Sequence, residues 1–178
     1  RFPSCRNTLG ESLGVESFPF AHRLLGERVL HEPAYGVDGD CDWTSGSFMI
    51  VRKEALDAVG WLDERFFLFS EETDLCWRLR GAGWRVVHLA SMTIRHEESE
   101  GWSDCRLEAQ AAYARLQFAK KNFSSIGQVL YRGALVFRYL LRVFVYSTLR
   151  RRDSAHRAAV KAGLGAVLWA RAPFAISR

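Results

Sequence analysis

The chain is poor in the features that would place it in several common classes. It has four cysteines in 178 residues. Cys5, Cys41, Cys76 and Cys105 form no C-x-x-C pair, which argues against a zinc module or a dense disulfide framework and fits a reducing, cytoplasmic setting. No run of about eighteen uncharged apolar residues is present to span a bilayer. The nearest stretch, 127–149, is interrupted by Arg132, Arg138 and Arg142. There is no targeting pattern, no internal repeat and no low-complexity tract. An initiating Met is also lacking, so the chain reads as a piece of something longer.

Acidic residues are unevenly spread. Residues 1–105 hold 11 Lys/Arg against 18 Asp/Glu, a net of −7, whereas residues 106–178 hold 14 against 2, a net of +12. Two regions with different partners are expected, 1–104 and 105–178. The hydrophobic content of 48% is enough for a proper core.

Residues 1–41 are rich in Pro and Gly and read as irregular loop with small helices, with Leu24–Leu30 a short helix or strand. The apolar run from Phe48 to Arg52 predicts a buried strand, and Lys53–Val59 a short helix ended by Gly60. Phe66–Phe69 is a second strand-like run. Ser70 is a candidate N-cap for a helix to about Ala82, acidic in its first turn and basic in its last, with Gly81 or Gly83 as its stop. Trp84–Leu89 and Met92–Ile94 read as strands, so the first region has an α/β alternation. Beyond Asp104 three helices are expected, over Cys105–Asn122, Ile126–Arg151 and Ser154–Ala170.

Glu71, Glu72 and Asp74 concentrate negative charge at a helix start. A helix N-terminus keeps a carboxylate ionised, so Glu71 or Glu72 can serve as a general base. The same acids also suit an ordinary helix start, worth about 0.3–1 kcal/mol each. His96 precedes Glu97, Glu98 and Glu100, one imidazole beside hard oxygen ligands able to complete a divalent cation site, or simply a surface histidine. Asp42, Trp43 and Gly46 precede the Phe48 run. A carboxylate, an indole face and a glycine suit sugar binding, as a buried Trp after a loop suits packing.

Taken in order, these segments resemble the second half of the catalytic domain of inverting family 2 glycosyltransferases. The likeness is to the bacterial rhamnosyltransferase-like members that build polysaccharides on lipid carriers. The matching text runs from Asp42-Trp43-x-x-Gly46 through Met49–Ala55, Val59–Phe67, Glu71–Arg78 and Ala82–Val86 to His96. The resemblance implies a partial GT-A nucleotide-sugar domain followed by a helical extension. It implies that Glu72 stands at the catalytic base, usually Asp in the family, with Glu71 its acidic neighbour. It further implies that Asp42, Trp43 and Gly46 contact the acceptor or donor sugar with Asp74 close by, and that His96 helps hold a divalent metal (Mg or Mn). The partners so implied are a nucleotide-sugar donor and a glycan or lipid-linked acceptor. The family's N-terminal Asp-x-Asp motif is not found here. Asp38-Gly39-Asp40 has the letters but sits in a Gly-rich loop, so the fragment alone is expected to be inactive. A non-catalytic scaffold derived from a transferase is the alternative.

The helix expected over 126–151 gathers Leu130, Phe137, Leu140, Leu141 and Phe144 on one side and Arg132, Arg138, Arg142 and Arg150 on the other. Such a helix can lie peripherally on an anionic membrane surface, or pack on the domain and show a basic face. The run Arg150-Arg151-Arg152 comes with no nucleic-acid motif, and no nucleic-acid partner is expected.

Overall fold

The structure, a computed structural model, describes residues 1–14, 22–29, 35–96, 104–150 and 153–174. Its helices are α1 (Cys5–Ser12), α2 (His22–Leu25), α3 (Lys53–Val59), α4 (Glu71–Gly81), α5 (Cys105–Asn122), α6 (Ser125–Thr148) and α7 (Ser154–Trp169). Two strands, β1 (Gly39–Asp40) and β2 (Val87–His88), pair antiparallel with Gly39 opposite His88. The described residues are therefore mostly helical with one small sheet, and not the α/β alternation expected from the apolar runs.

The differences have one physical cause. A strand exists through its ladder partner, and an apolar run carries no record of whether one is available. Residues 48–52 form no strand; Met49 and Val51 pack against Ala55, Leu75 and Leu79, while Phe48 and Ile50 are exposed. Phe66–Phe69 is a chain of bends, Met92–Ile94 is irregular, and Trp84–Leu89 contributes only Val87 and His88 to a sheet.

The helices end where local chemistry stops them. Ser4 and Asn7 form a reciprocal capping box on α1. Asp104, Ser124 and Asp153 accept from the backbone N–H of Arg106, Gly127 and His156, capping α5, α6 and α7. Gly60 closes α3 at φ 81° and Gly83 follows α4 at φ 86°, left-handed positions that favour glycine. Ser70 departs from expectation: it sits in the left-handed region at φ 66° and makes no side-chain cap. Phe69 beside it has φ 69°, so two consecutive non-glycine residues hold strained backbone at the entrance to α4.

The main core lies between α5, α6 and α7, around Ala112, Ala119, Tyr131, Leu135, Tyr139, Val160 and Val167. The two charge regions interlock. Phe2, Trp77, Phe118, Phe123 and Tyr131 form a chain of edge-on and tilted rings across the boundary at 104. Glu27 is buried and pairs with Arg115 at 2.8 Å, and Arg138 reaches Glu11 at 2.7 Å.

Gly163 is where α7 meets α6. A Cβ there would lie 2.8 Å from Tyr139 Cζ. The ring cannot yield, being buried with its hydroxyl on Glu108 Oε1 at 3.0 Å. Gly163→Ala is therefore expected to destabilise the chain by about 1–3 kcal/mol, seen as a lower midpoint in chemical unfolding. An unchanged midpoint would mean the helices separate freely.

Candidate functional site

The site is built on the first turn of α4. Glu71 and Glu72 open the helix, and the segment 44–47 runs alongside: a Cβ on Gly46 would stand 3.6 Å from the Glu72 Cβ. The backbone N–H groups of Glu72, Gly46 and Thr73 favour the charged form of the Glu72 carboxylate, yet its Oε2 is buried without a hydrogen-bond partner among the described residues. Glu71 Oε2 is in the same condition. A buried carboxylate oxygen left unpaired is costly, so two adjacent ones mark a site that folding alone does not explain. Burial, and then the charge of Glu71, push the Glu72 carboxyl above the ordinary glutamate value against the opposing pull of those N–H groups.

Asp74 belongs to a different environment. Two residues beyond Glu72, it is turned about 160° away around the helix. It is 0% exposed; its Oδ2 accepts from Arg78 Nε at 2.8 Å and from Lys121 Nζ at 2.7 Å, and its Oδ1 from Asn122 Nδ2 at 3.3 Å. Arg78 in turn donates to the carbonyls of Val59, Gly60 and Trp61. Asp74 thus joins α3, α4 and α5 and presents no surface to a ligand.

Asp42 and Trp43 lead into the 44–47 segment but are engaged with the start of the chain. Asp42 Oδ2 accepts from Phe2 N at 3.1 Å, and the Trp43 indole N–H donates to Arg1 O at 2.6 Å. Asp38 and Asp40 are likewise occupied, by the backbone N–H of Ala90 at 2.7 Å and by Arg85 at 2.9 Å. The structure therefore brings Glu71, Glu72 and Gly46 together and leaves Asp42, Trp43 and Asp74 on other duties.

His96 is exposed. Its acidic neighbours Glu97, Glu98 and Glu100 lie outside the described residues. Among the described residues no three His, Cys, Asp or Glu side chains converge as a cation site. Reading the sequence alone missed Lys121 and Asn122 as partners of Asp74, because nothing local links α5 to α4. It also missed the strained Phe69–Ser70 pair, since neither residue type announces a positive φ.

Comparison with known proteins gives short matches. The chain is 42% identical over 57 residues to the N-acetylglucosaminyl-diphospho-decaprenol L-rhamnosyltransferase of two Mycobacterium tuberculosis strains, covering 32% of this chain and 19% of that protein. It is 38% identical over 75 residues to Rhamnosyltransferase WbbL of Escherichia coli K12, covering 41% of this chain and 28% of that protein. The chain thus spans less than a third of the length of these curated relatives. No protein-family model matches it, and no solved structure matches it.

Proposed function

We propose that this chain carries the base-bearing part of a glycosyltransferase of the rhamnosyltransferase-like, inverting kind, within a GT-A domain. The observation that carries the reading is the Glu71–Glu72 pair at the start of α4, each with one carboxylate oxygen buried and without a hydrogen-bond partner among the described residues. The partial likeness to two rhamnosyltransferases supports the same class. The strained backbone at Phe69 and Ser70 is a further support, since such strain clusters at functional sites.

In this reading the free oxygen of Glu72 takes the proton of an acceptor hydroxyl. The acceptor oxygen so deprotonated attacks the anomeric carbon of a nucleotide-sugar, the glycosidic bond forms with inversion, and the bond to the nucleoside diphosphate breaks with its electron pair going to the departing diphosphate. A carboxyl raised toward neutral pH is a better proton acceptor than one held at the usual acidic value. Gly46 lies alongside the Glu72 side chain, and Asp74 acts by position, fixing α4 through Lys121. Asp42 and Trp43 stay in the proposal as sugar contacts and His96 as a ligand to a divalent cation, although the proton transfer does not depend on either. The donor proposed is a rhamnosyl nucleotide and the acceptor a glycan or lipid-linked sugar. The test is transfer of radiolabelled sugar by a full-length protein offered rhamnosyl, glucosyl and galactosyl nucleotides in turn. Rhamnosyl transfer is expected. No transfer and no binding with every donor would favour the scaffold alternative.

A further inference from the structure

Helix α6 is amphipathic the unusual way round. Its arginines are engaged by other helices: Arg138 meets Glu11, Arg142 meets Glu108 at 2.5 Å, and Arg132, itself exposed, donates to the carbonyls of Val167 and Leu168 at the end of α7. Tyr131, Leu135 and Tyr139 fill the rest of that inner face. The opposite face carries Ile126, Val129, Leu130, Phe137, Leu140 and Phe144, each between 42% and 75% exposed. At about 100° per residue these six, with Gly133 among them, form one uncharged stripe along a helix about 36 Å long. A continuous apolar surface of that length is not an ordinary solvent face. At the end of α7, which Arg132 ties to α6, Leu168 and Trp169 are also exposed, Trp169 at 73%.

We propose that this stripe seats α6 in the plane of an anionic phospholipid surface, its apolar side chains among the acyl chains and Trp169 at the headgroup level. Charge decides for lipid over a second copy of the chain. After Glu108 the sequence holds one acidic residue, Asp153, and that carboxylate is taken by His156. Neither α6 nor α7 contains an Asp or Glu. Arg132, Arg150, Lys161 and Arg171 are exposed on or beside these helices. Two copies meeting through the stripe would bring these cations together with no acid on α6 or α7 to pair them, whereas phosphatidylglycerol headgroups supply anions. Each cation near such a surface strengthens binding about fivefold, and an indole favours the boundary between apolar and polar layers. Among the described residues no helix is long and apolar enough to cross a membrane, so this is lateral seating and not insertion. The inference is independent of the sugar-transfer reading.

The test is co-sedimentation of the 178-residue chain with phosphatidylcholine vesicles, with and without phosphatidylglycerol, for the parent and the double variant Phe137→Glu/Phe144→Glu. Both side chains are exposed, so the variant should keep its helical circular dichroism and melting behaviour. The parent is expected to bind the anionic vesicles, with the variant partitioning about a hundredfold less. Equal partitioning of a folded variant overturns the proposal, as does a parent that ignores anionic vesicles. A parent that sediments as a dimer, becomes monomeric only in the variant and binds no vesicle assigns the stripe to a second copy, and also overturns it.

Discussion

In a full-length protein, Glu72→Gln is expected to lower sugar transfer by about 10²–10⁴-fold, the usual worth of a positioned general base. It should also raise the melting temperature at pH 7. The two effects share one origin. Gln has nearly the same size and shape as Glu and keeps an acceptor oxygen, so the local packing survives, but it cannot take a proton. Glu72 has a folded-state pKa above its unfolded value, chiefly through burial. The folded state then binds that proton more tightly than the unfolded one. The contribution to stability is present below the unfolded value and is lost as pH rises through the raised one. At pH 7 the charged group therefore opposes folding, and the substitution removes it. Below about pH 4 both states are protonated and the difference should vanish. Melting curves from pH 3 to pH 8 on parent and variant read this directly. Normal turnover by the variant would end the assignment of Glu72 as base. A melting temperature lowered at pH 7 would show instead that the carboxylate is a structural anchor.

Asp74→Asn should have the opposite signature, a loss of stability of about 3–5 kcal/mol with no separate effect on substrate affinity. Both Arg78 and Lys121 donate to one buried oxygen of Asp74. An amide can present an oxygen to one side only, so either Asn122 or the two cations would face its NH₂ group, and the positive charges lose their counter-charge inside the molecule. Lys121 retains Asp63 at 2.6 Å, whose carboxyl is held well below the usual range by Arg65 and then Lys121, so some pairing survives. Replacing the pair together, Asp74→Asn with Lys121→Met, should recover much of the loss because no unpaired ammonium then remains. Urea unfolding of the single and double variants measures it. A stable single variant with a raised KM would restore Asp74 to the substrate site.

The helical part of the fold was legible in the sequence because its signals are local. The three helices expected beyond Asp104 are present as α5, α6 and α7, and Asp104, Ser124 and Asp153 cap them, although Ser70, the cap the sequence suggested for α4, makes no cap bond. Gly60 stops α3, and the acids and arginines at the two ends of α4 lie along its dipole. Of the strands, only β2 was legible, lying within the strand expected over Trp84–Leu89. Phe48–Arg52 and Phe66–Phe69 have strand composition, but pairing is a non-local property, and Val87–His88 found a partner only in the Gly-rich loop at Gly39–Asp40.

For the candidate site, the sequence by itself determined that Glu71 and Glu72 open a helix after Gly46, because caps, dipole and spacing act within a few residues. Only the tertiary structure decided which carboxylate remains available. It turned Asp74 into the core against Lys121 and Asn122, occupied Asp42 and Trp43 with Arg1 and Phe2, and left one oxygen of Glu72 unpaired. It also decided which face of α6 is inside. Periodicity separates arginines from apolar side chains, but Glu11 and Glu108 lie in distant helices, and their carboxylates draw the arginines inward and turn the apolar stripe out.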